Sequence, residues 1–247
     1  MLRADKNCAL VVGASGGIGS ALVTAFLSEG KVDHVLAASG SDMAAESAIS
    51  SSDVTWLPYH YNESSITGVV KQLSDLGASI TRVCICNGIL HGKNLRPEKR
   101  LEDLNSESLQ TLFYANSILP ILWLKALRGL CNGDGRCCIA VLSARVGSIS
   151  DNRLGGWYGY RSSKAALNML LKTAAVEYAR RNKNVKLISF HPGTTDTDLS
   201  KPFQSAVRGK KLFTPEFVAS KLLKIMDTAD VDGELSFLDW QGKKVGW

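Results

Sequence analysis

Short apolar runs that alternate with helical patterns set the strongest limit on how this chain can fold. Seven runs rich in Val, Ile, Leu, Ala and Cys are bounded by turn residues, and most are followed by apolar residues at helical spacing. Parallel strands joined by crossover helices produce this alternation. We therefore predict an α/β fold with one doubly wound parallel sheet and helices on both faces, in a single domain over residues 1–247.

Element boundaries follow from the same patterns and from the turn residues that end them. The predicted strands are 8–12, 34–38, 54–57, 82–86, 137–143, 185–190 and 235–238. The predicted helices are 18–27, 64–76, 106–130, a segment that begins between 157 and 160, and 214–226. No internal repeat and no linker-like stretch interrupts the series, which favours one domain.

Composition and charge argue against several classes of protein. A chain of 247 residues with 45% hydrophobic and 21% charged residues has the balance of an ordinary globular protein. The net charge of +6 comes from 29 basic and 23 acidic residues spread along the chain, which does not indicate a nucleic-acid partner. No run approaches 18 apolar residues and no signal peptide is visible, so we expect no membrane span and a cytoplasmic location.

Cysteine and histidine spacing predicts no metal site. The six cysteines lie mostly in the apolar runs without a C-x-x-C pair, and the four histidines show no ligand spacing. Buried, reduced thiols are therefore expected rather than disulfides or a metal centre.

A glycine-rich turn between the first strand and the first helix is the first candidate site. Gly13, Gly16, Gly17 and Gly19 have the spacing G-x-x-x-G-x-G. A helix N-terminus offers free N–H groups and a positive dipole end, and glycines allow a phosphate to approach the backbone closely. This strand–turn–helix context predicts binding of a dinucleotide pyrophosphate. A tight turn that holds no ligand is the alternative.

The residues after the second strand bear on which dinucleotide is bound. A carboxylate there would bond the ribose 2′-hydroxyl group of NAD, but the chain has Ser39, Gly40 and Ser41. Because no carboxylate repels a 2′-phosphate, NADP is predicted as the preferred coenzyme. No arginine stands beside these residues and Asp42 is close, so NAD stays open.

Tyr160 and Lys164, four residues apart, are the second candidate site. Apolar residues at helical spacing follow them, so the two side chains are expected one turn apart on one helix face. An ammonium group stabilises a phenolate, and we expect it to lower the pKa of Tyr160 below the usual value of about 10. Ser143, at the end of the fifth strand, can add a hydroxyl group. Taken alone, such pairs most often belong to a solvated helix surface.

The ordered set of motifs resembles the short-chain dehydrogenase/reductase family over nearly the whole chain. The motifs are the glycine turn, Asn87-Gly88, Asn116, Ser143, Tyr160-x-x-x-Lys164 and Pro192-Gly193. The run from Ser143 to Ile149 and the Gly-Gly-Trp-Tyr segment are similar to the C-factor-like branch, described as cell–cell signalling proteins. The resemblance implies a Rossmann-type fold and an NAD(P)-dependent oxidoreductase that acts on a carbonyl or alcohol substrate.

Roles for individual residues follow from the resemblance. It implies that Tyr160 exchanges a proton with the substrate oxygen, that Ser143 binds this oxygen, and that Lys164 holds the nicotinamide ribose. Asn116 would complete the catalytic set by holding a helix kink and a water linked to Lys164. Together with Ser39, the predicted coenzyme-binding residues are Gly13, Ser15, Gly16, Gly17, Ile18, Gly19, Asn87, Gly88, Tyr160, Lys164, Pro192, Gly193, Thr195 and Thr197.

Parts of the sequence depart from the family pattern. Asn87-Gly88 replaces the family's fuller Asn-Asn-Ala-Gly, and His60 and Asn62 stand where the family often has an aspartate for adenine. The stretch before Tyr160 is longer than usual, which suggests an enlarged loop over the site. Tyr158 is a rival tyrosine, but helical geometry places it on a different face from the lysine.

Several single residues keep two interpretations. Trp157 and Phe203 could belong to the core or to a substrate pocket. Arg145 could meet an acidic substrate or form an ion pair with Asp151 or Glu177.

Two functions of different class are compatible with these observations. The first is an NADP-preferring carbonyl reductase or alcohol dehydrogenase, with Tyr160 as general acid/base and a small-molecule carbonyl or alcohol as substrate. The second is a dinucleotide-binding signalling or sensor protein with little turnover. Residues 198–213 are predicted as a substrate lid. A homodimer or homotetramer is predicted through the helices that contain Asn116 and Tyr160, with apolar faces that include Leu119, Trp123, Leu167 and Leu171.

Overall fold

A fully parallel sheet of seven strands organises the protein. The computed structural model describes residues 6–40, 52–131, 135–207 and 212–247, apart from the side chains of residues 206 and 207. The strands are β1 (Asn7–Val12), β2 (His34–Ser39), β3 (Val54–Pro58), β4 (Ser79–Ile85), β5 (Cys137–Leu142), β6 (Val185–His191) and β7 (Leu235–Asp239). All neighbours pair in parallel in the order β3-β2-β1-β4-β5-β6-β7, which confirms the predicted doubly wound sheet.

The strand order creates a switch point between β1 and β4. The chain runs from β1 outward through β2 to β3, then returns to the other side of β1 and continues from β4 to β7. The connections after β1 and β4 therefore leave the sheet in opposite directions. A crevice opens between them at the carboxyl edge of the sheet, where open α/β sheets bind ligands.

Helices cover both faces of the sheet, and each face has its own apolar core. The helices are α1 (Gly17–Glu29), α2 (Glu63–Asp75), α3 (Ser106–Phe113), α4 (Leu119–Leu127), α5 (Tyr158–Arg181) and α6 (Pro215–Thr228). One core joins the sheet to α1 and α6, and the other joins it to α2, α4 and α5. Because successive side chains of a strand point to opposite faces, Leu10 of β1 enters one core and Val11 the other.

The helix predicted over residues 106–130 is not continuous. A π-helical turn over Tyr114–Ile118 separates α3 from α4, and α4 ends at Leu127. The apolar pattern runs through the turn without a break, so spacing alone could not reveal it. Shorter 3₁₀ turns occur over Leu101–Asp103, Arg145–Gly147 and Lys201–Val207.

The four apolar residues expected to form an association surface belong to the core. Leu119, Trp123, Leu167 and Leu171 are each at most 2% exposed and pack against the sheet. The prediction is wrong for these side chains, because apolar residues on the inner face of a helix satisfy the same periodicity as an outer face.

The described residues include no helix suited to a membrane span, and their cysteines form no disulfide. No helix in these ranges is both long and apolar enough to cross a bilayer. All six cysteines are free, and five of them are buried. Burial raises the pKa of Cys8 to about 11 and that of Cys86 to about 12, so both thiols stay protonated at neutral pH.

Candidate active site

Two adjoining cavities open at the carboxyl edge of the sheet. The first has a volume of about 860 Å³ and the second about 890 Å³. They share a wall formed by the turn after β1 and the strand end after β4, where Gly13, Ser15, Gly16, Asn87 and Gly88 line both. The cavities therefore form one cleft across the switch point.

The turn after β1 gives the cleft a wall of backbone rather than side chains. Gly13 has φ +77°, and a Cβ on Gly19 would lie 2.1 Å from the Gly13 carbonyl oxygen. A Cβ on Gly16 would meet only that oxygen, at 3.5 Å, so there is open space beside Gly16. Gly16 caps α1 without a side-chain hydrogen bond, which leaves the first N–H groups of the helix uncapped. This wall suits an anion.

Most predicted site residues line the first cavity. They are Gly13, Ser15, Gly16, Gly17, Ile18, Gly19, Asn87, Gly88, Ser143, Tyr160, Lys164, Pro192, Gly193, Thr195 and Thr197. Asn116, Ser39 and Tyr158 line neither of the two cavities. The structure thus brings Tyr160, rather than Tyr158, together with Lys164 and Ser143.

Tyr160 and Lys164 lie one turn apart on α5, and both are almost fully buried. Tyr160 is 8% exposed and Lys164 is 3% exposed. The Lys164 Nζ donates a hydrogen bond of 2.9 Å to the Leu142 carbonyl oxygen at the end of β5. The same Nζ lies 5.9 Å from the centre of the Tyr160 ring. The lysine therefore ties α5 to β5 while its charge stays close to the phenol.

Burial controls the ionisation of both groups. It raises the pKa of Tyr160 to about 12 and lowers the pKa of Lys164 to about 8. In the protein without coenzyme, the pKa of Tyr160 is raised, so the expectation that Lys164 lowers it is wrong for this state. The cause of the shift is the lost hydration of the phenolate, and the Lys164 ammonium group is bonded to a backbone carbonyl oxygen. At pH 7 Tyr160 is a neutral phenol and Lys164 is mainly an ammonium ion.

Asn116 holds the π-helical turn against the loop after β4. Its Oδ1 accepts from the Ile89 N–H at 2.8 Å, and its Nδ2 donates to the Ile89 carbonyl oxygen at 2.9 Å and to the Ser163 Oγ at 3.1 Å. The π-helical turn lies where a helix kink was expected, and such turns are frequent at functional sites. A Cβ on Gly88 would lie 3.2 Å from Asn116 Oδ1 and 3.4 Å from Lys164 Nζ. Asn116 Oδ1 and Lys164 Nζ therefore both lie close to Gly88.

Ser143 lines the cavity, but its hydroxyl group is bonded on the core side. The Ser143 Oγ donates to the Oδ1 of Asn168 on α5 at 2.8 Å. Sequence analysis did not single out Asn168. A signal was available, because a polar residue four positions after Lys164 falls on the same, buried face of the helix.

The loop before α5 ends in three consecutive left-handed residues, Gly155, Gly156 and Trp157. For the non-glycine Trp157 this conformation costs roughly 1–2 kcal/mol. Its N–H donates to the Glu98 carbonyl oxygen at 2.6 Å, and the Gly159 N–H donates to the Glu98 carboxylate at 3.2 Å. Buried Glu98 thus caps α5. No local pattern marks it, because it meets Gly159 from 61 positions away.

Aromatic side chains line the end of the cleft near Tyr160. The ring centre of Trp157 lies 6.2 Å from that of Tyr160 and 5.0 Å from that of Phe203. The ring of His91 lies 5.7 Å from that of Phe203. Trp157 and Phe203 both line the first cavity and also pack against a small buried apolar cluster, so both interpretations hold in part.

The second cavity has a tyrosine where the family pattern suggested other residues. Asn62 Oδ1 accepts from the Ser65 N–H at 2.8 Å and caps α2, and His60 is exposed. Neither residue lines the cleft. Tyr61, which stands between them with φ +53°, does. A positive φ on a tyrosine has no sequence signature, so this residue was missed.

The serine at the end of β2 is buried and lies outside both cavities. Ser39 is 2% exposed, and its Oγ has no hydrogen-bond partner within the described ranges. Ser41 and Asp42 lie outside the described residues. The absence of a carboxylate at residue 39 is therefore the feature that bears on coenzyme choice.

The basic side chain of Arg145, which follows β5, has structural partners. Arg145 pairs with Asp239 at 3.2 Å and with Asp151 at 3.7 Å, so the ion-pair interpretation is confirmed for Asp151 and not for Glu177. Burial, with Arg145 nearby, lowers the pKa of His191 to about 4. His191 is therefore neutral at pH 7.

In the part of the chain that the structure describes, no three His, Cys, Asp or Glu side chains cluster as a metal site requires.

The sequence pattern of a known family matches most of the chain. Residues 7–208 match the family described as short chain dehydrogenase. The 1-hydroxy-2-glutathionyl-2-methyl-3-butene dehydrogenase of Rhodococcus sp. (strain AD45) is 28% identical over 243 residues, 94% of this chain and 98% of that protein. Benzil reductase ((S)-benzoin forming) of Bacillus subtilis (strain 168) is 24% identical over 242 residues, 92% of this chain and 96% of that protein. C-signal of Myxococcus xanthus is 31% identical over 148 residues, 60% of this chain and 83% of that protein.

The fold is also shared with solved structures. The structure of NADPH-bound carbonyl reductase from chicken fatty liver superposes with a TM-score of 0.77 at 22% identity, over 97% of this chain and 98% of that chain. At this identity the likeness shows the fold alone. Residue roles in this chain must therefore rest on its own geometry.

Lys164→Met should stabilise the protein at neutral pH. Burial lowers the pKa of Lys164 from 10.5 to about 8, so the unfolded chain binds more protons between these values. The burial penalty is thus fully present below pH 8 and is relieved as the pH rises toward 10.5. An apolar side chain removes roughly 3 kcal/mol of penalty, less about 1 kcal/mol for the lost hydrogen bond. Urea unfolding should show this gain at pH 7 and a smaller one near pH 9.5.

Lys71→Met is the matched control for this measurement. Lys71 is exposed on α2, so its replacement should change the free energy of unfolding by less than about 0.5 kcal/mol at either pH. If Lys164→Met proves less stable than the wild type at pH 7, the ammonium group stabilises the fold and the burial argument is wrong.

Proposed function

The chain belongs to the short-chain dehydrogenase/reductase family, and we propose that it is an NADP-preferring carbonyl reductase. One observation carries the proposal: the same cavity is lined by the open glycine turn before α1 and by Ser143, Tyr160 and Lys164. A protein that only binds a dinucleotide needs neither Ser143 nor Tyr160 beside it. Oxidation of the corresponding alcohol is the reverse reaction at the same site.

The residues of the cleft fit a nicotinamide dinucleotide. Open space beside Gly16 and the uncapped N-terminus of α1 suit the pyrophosphate. Asn87 and Gly88 would lie beside the adenosine half, and Lys164 would hold the nicotinamide ribose. The nicotinamide end would meet Pro192, Gly193, Thr195 and Thr197. When bound, this coenzyme supplies the hydride.

The preference for NADP rests on the end of β2. Ser39 stands where a carboxylate would repel a 2′-phosphate. We therefore expect NADPH to bind more tightly than NADH.

Tyr160 holds the proton that a carbonyl oxygen takes up on reduction. Because burial keeps its pKa near 12, the phenol is in its acid form at neutral pH, which favours the direction of reduction. Donation leaves a phenolate, and the nearby Lys164 ammonium group stabilises that charge. Ser143 offers a hydroxyl group to the same oxygen. Solvent then returns the proton to the phenolate.

The substrate end of the cleft favours a flat apolar carbonyl compound. Trp157, Phe203 and Tyr160 supply ring surfaces around the site. Phe203 lies in the 3₁₀ turn within residues 198–213, the segment that we propose as the lid, although residues 208–211 are outside the description. Benzil, the substrate named for the Bacillus relative, carries two phenyl rings beside its carbonyl groups and is a suitable probe.

Similarity to C-signal supports a second candidate function. That protein's name associates it with signalling, and its identity of 31% covers 60% of this chain. A signalling protein with little turnover would bind the coenzyme and show no reduction of a carbonyl panel. The presence of Ser143, Tyr160 and Lys164 on one cavity favours the enzyme. A cytoplasmic location is proposed from the six free thiols.

Gly16→Val should abolish dinucleotide binding and leave the fold intact. The protein has room for a side chain at this position, and that room is the space where a phosphate would lie. Calorimetry should show NADPH binding to the wild type, weaker binding of NADH, and no binding of either to the variant. Gly19→Ala should instead destabilise the fold, because its Cβ would lie 2.1 Å from a backbone oxygen. Unchanged NADPH affinity in Gly16→Val would contradict the coenzyme assignment. If the wild type binds NADH more tightly than NADPH, the proposed preference for NADP is wrong.

The protein should self-associate through the outer faces of α3 to α5 and the π-helical turn. On α5, Met169 and Val176 are 68% and 43% exposed. Tyr114 and Ile118 of the π-helical turn are 40% and 41% exposed and also line the second cavity, so Met169 and Val176 are the residues outside the cleft. Light scattering at micromolar concentration should give a dimer or tetramer, and Met169→Lys should shift the mass toward the monomer. Ile149→Lys changes an exposed residue that belongs to none of these helices and should have no effect. A monomeric wild type would contradict this proposal.

Tyr160→Phe should remove reductase activity without loss of folding or coenzyme affinity. The variant lacks the proton donor, and general acid catalysis typically contributes about 10² to 10⁴ in rate. Reduction of benzil, followed by loss of NADPH absorbance, should slow by at least that order. The wild-type rate should also decline as the pH rises through about 8, where Lys164 loses its proton.

Tyr158→Phe is the control for the tyrosine assignment. Tyr158 lines neither cavity, so its variant should keep most of the wild-type rate. An inactive Tyr158→Phe beside an active Tyr160→Phe would show that the catalytic tyrosine is misassigned.

A further inference from the structure

Three buried polar side chains meet behind the cavity, where β5, β6 and α5 pack together. The Oγ atoms of Ser143 and Ser189 each lie 2.8 Å from the Oδ1 of Asn168. Asn168 is 3% exposed, and Ser189 is fully buried. Of the three, only Ser143 lines the first cavity. Asn168 can therefore act on a bound molecule only through the Ser143 hydroxyl group.

In the Asn168 side chain, the amide oxygen accepts two hydrogen bonds, whereas the amide nitrogen makes none among the described residues. With its oxygen toward the serines, both hydroxyl groups donate to it, and Nδ2 is buried with no partner among the described residues. Buried N–H groups without an acceptor are rare, because they lose the bonds that they make with water. A half-turn of the amide exchanges oxygen and nitrogen without moving either serine. Its two N–H groups then point at the two Oγ atoms, and the buried atom without a partner is one amide oxygen instead of a nitrogen that carries two N–H donors.

We propose that Asn168 is a positioning residue that donates to Ser143 and so directs the Ser143 hydroxyl hydrogen into the cavity. The inference rests on the proposed carbonyl reduction, in which that hydrogen is donated to the substrate oxygen. A hydroxyl group that accepts one hydrogen bond is also a stronger donor, because linked hydrogen bonds polarise each other. With the amide oxygen toward Ser143, the hydrogen would stay in the core and only lone pairs would face the substrate.

The amide orientation can be measured without a substrate. In the proton–nitrogen correlation spectrum of the full chain, the two side-chain amide protons of Asn168 are identified by their loss in Asn168→Leu. If they donate to the two serines, Ser143→Ala should shift one of them and Ser189→Ala the other. Unchanged amide protons in both serine variants would overturn the inference, whatever the activity of the protein.

Kinetics with benzil and NADPH then separate a positioning role from a structural one. Asn168→Asp keeps the shape but can only accept when ionised, so Ser143 must donate into the core. We expect kcat to fall roughly 10- to 100-fold while KM for NADPH is unchanged. Activity should recover as the pH falls, because a protonated carboxyl group can again donate to Ser143. Ser189→Ala removes the other partner of the amide and should keep most of the wild-type rate.

A double-mutant cycle decides whether Asn168 acts through Ser143. In a Ser143→Ala background, Asn168→Asp should cause no further loss, because the hydroxyl group on which it acts is gone. If kcat of the double variant instead falls by the product of the two single-variant losses, the inference is overturned. If Asn168→Asp does not fold, the same cycle with Asn168→Leu decides. A wild type that reduces no carbonyl compound would count against the proposed function alone, and the amide protons would still decide the orientation of Asn168.

Discussion

The hydrogen bond from Lys164 Nζ to the Leu142 carbonyl oxygen fixes where α5 lies against the end of β5. Gly147 permits this close approach, since a Cβ there would lie 2.8 Å from the Lys164 Cβ. Through this contact Tyr160, one turn earlier, reaches the cavity. Asn168, one turn later, reaches the hydroxyl group that follows β5. The parallel sheet supplies the frame, because the ends of its strands meet at one edge.

The site is held together at a cost in stability. Lys164 is buried and bonded to a backbone oxygen, with no ion pair among the described residues. Trp157 adopts a left-handed conformation, and the π-helical turn breaks the regular hydrogen bonding between α3 and α4. Functional sites often keep such strained or desolvated groups, because the surrounding core is stable enough to hold them. Here the two apolar cores on either face of the sheet supply that stability.

Sequence patterns predicted the sheet, the glycine turn and the tyrosine–lysine pair because each depends on residues close together in the chain. The π-helical turn, the cap from Glu98 and the hydrogen bond from Ser143 to Asn168 depend on contacts between distant segments, so spacing did not reveal them. The direction of the pKa shift at Tyr160 was missed for a related reason. It is set by the depth of burial, whereas the sequence shows only that a lysine is near.

The central claim is that the cleft joins a hydride donor to a carbonyl group whose oxygen takes its proton from Tyr160. Transfer of an isotope tests it most directly. Reduction of benzil with NADPH that carries deuterium on one face or the other of the nicotinamide C4 should place deuterium on the carbinol carbon of the product for one face only. Mass spectrometry of the product reads this outcome. A product without deuterium from either coenzyme, or no product at all, would contradict the account.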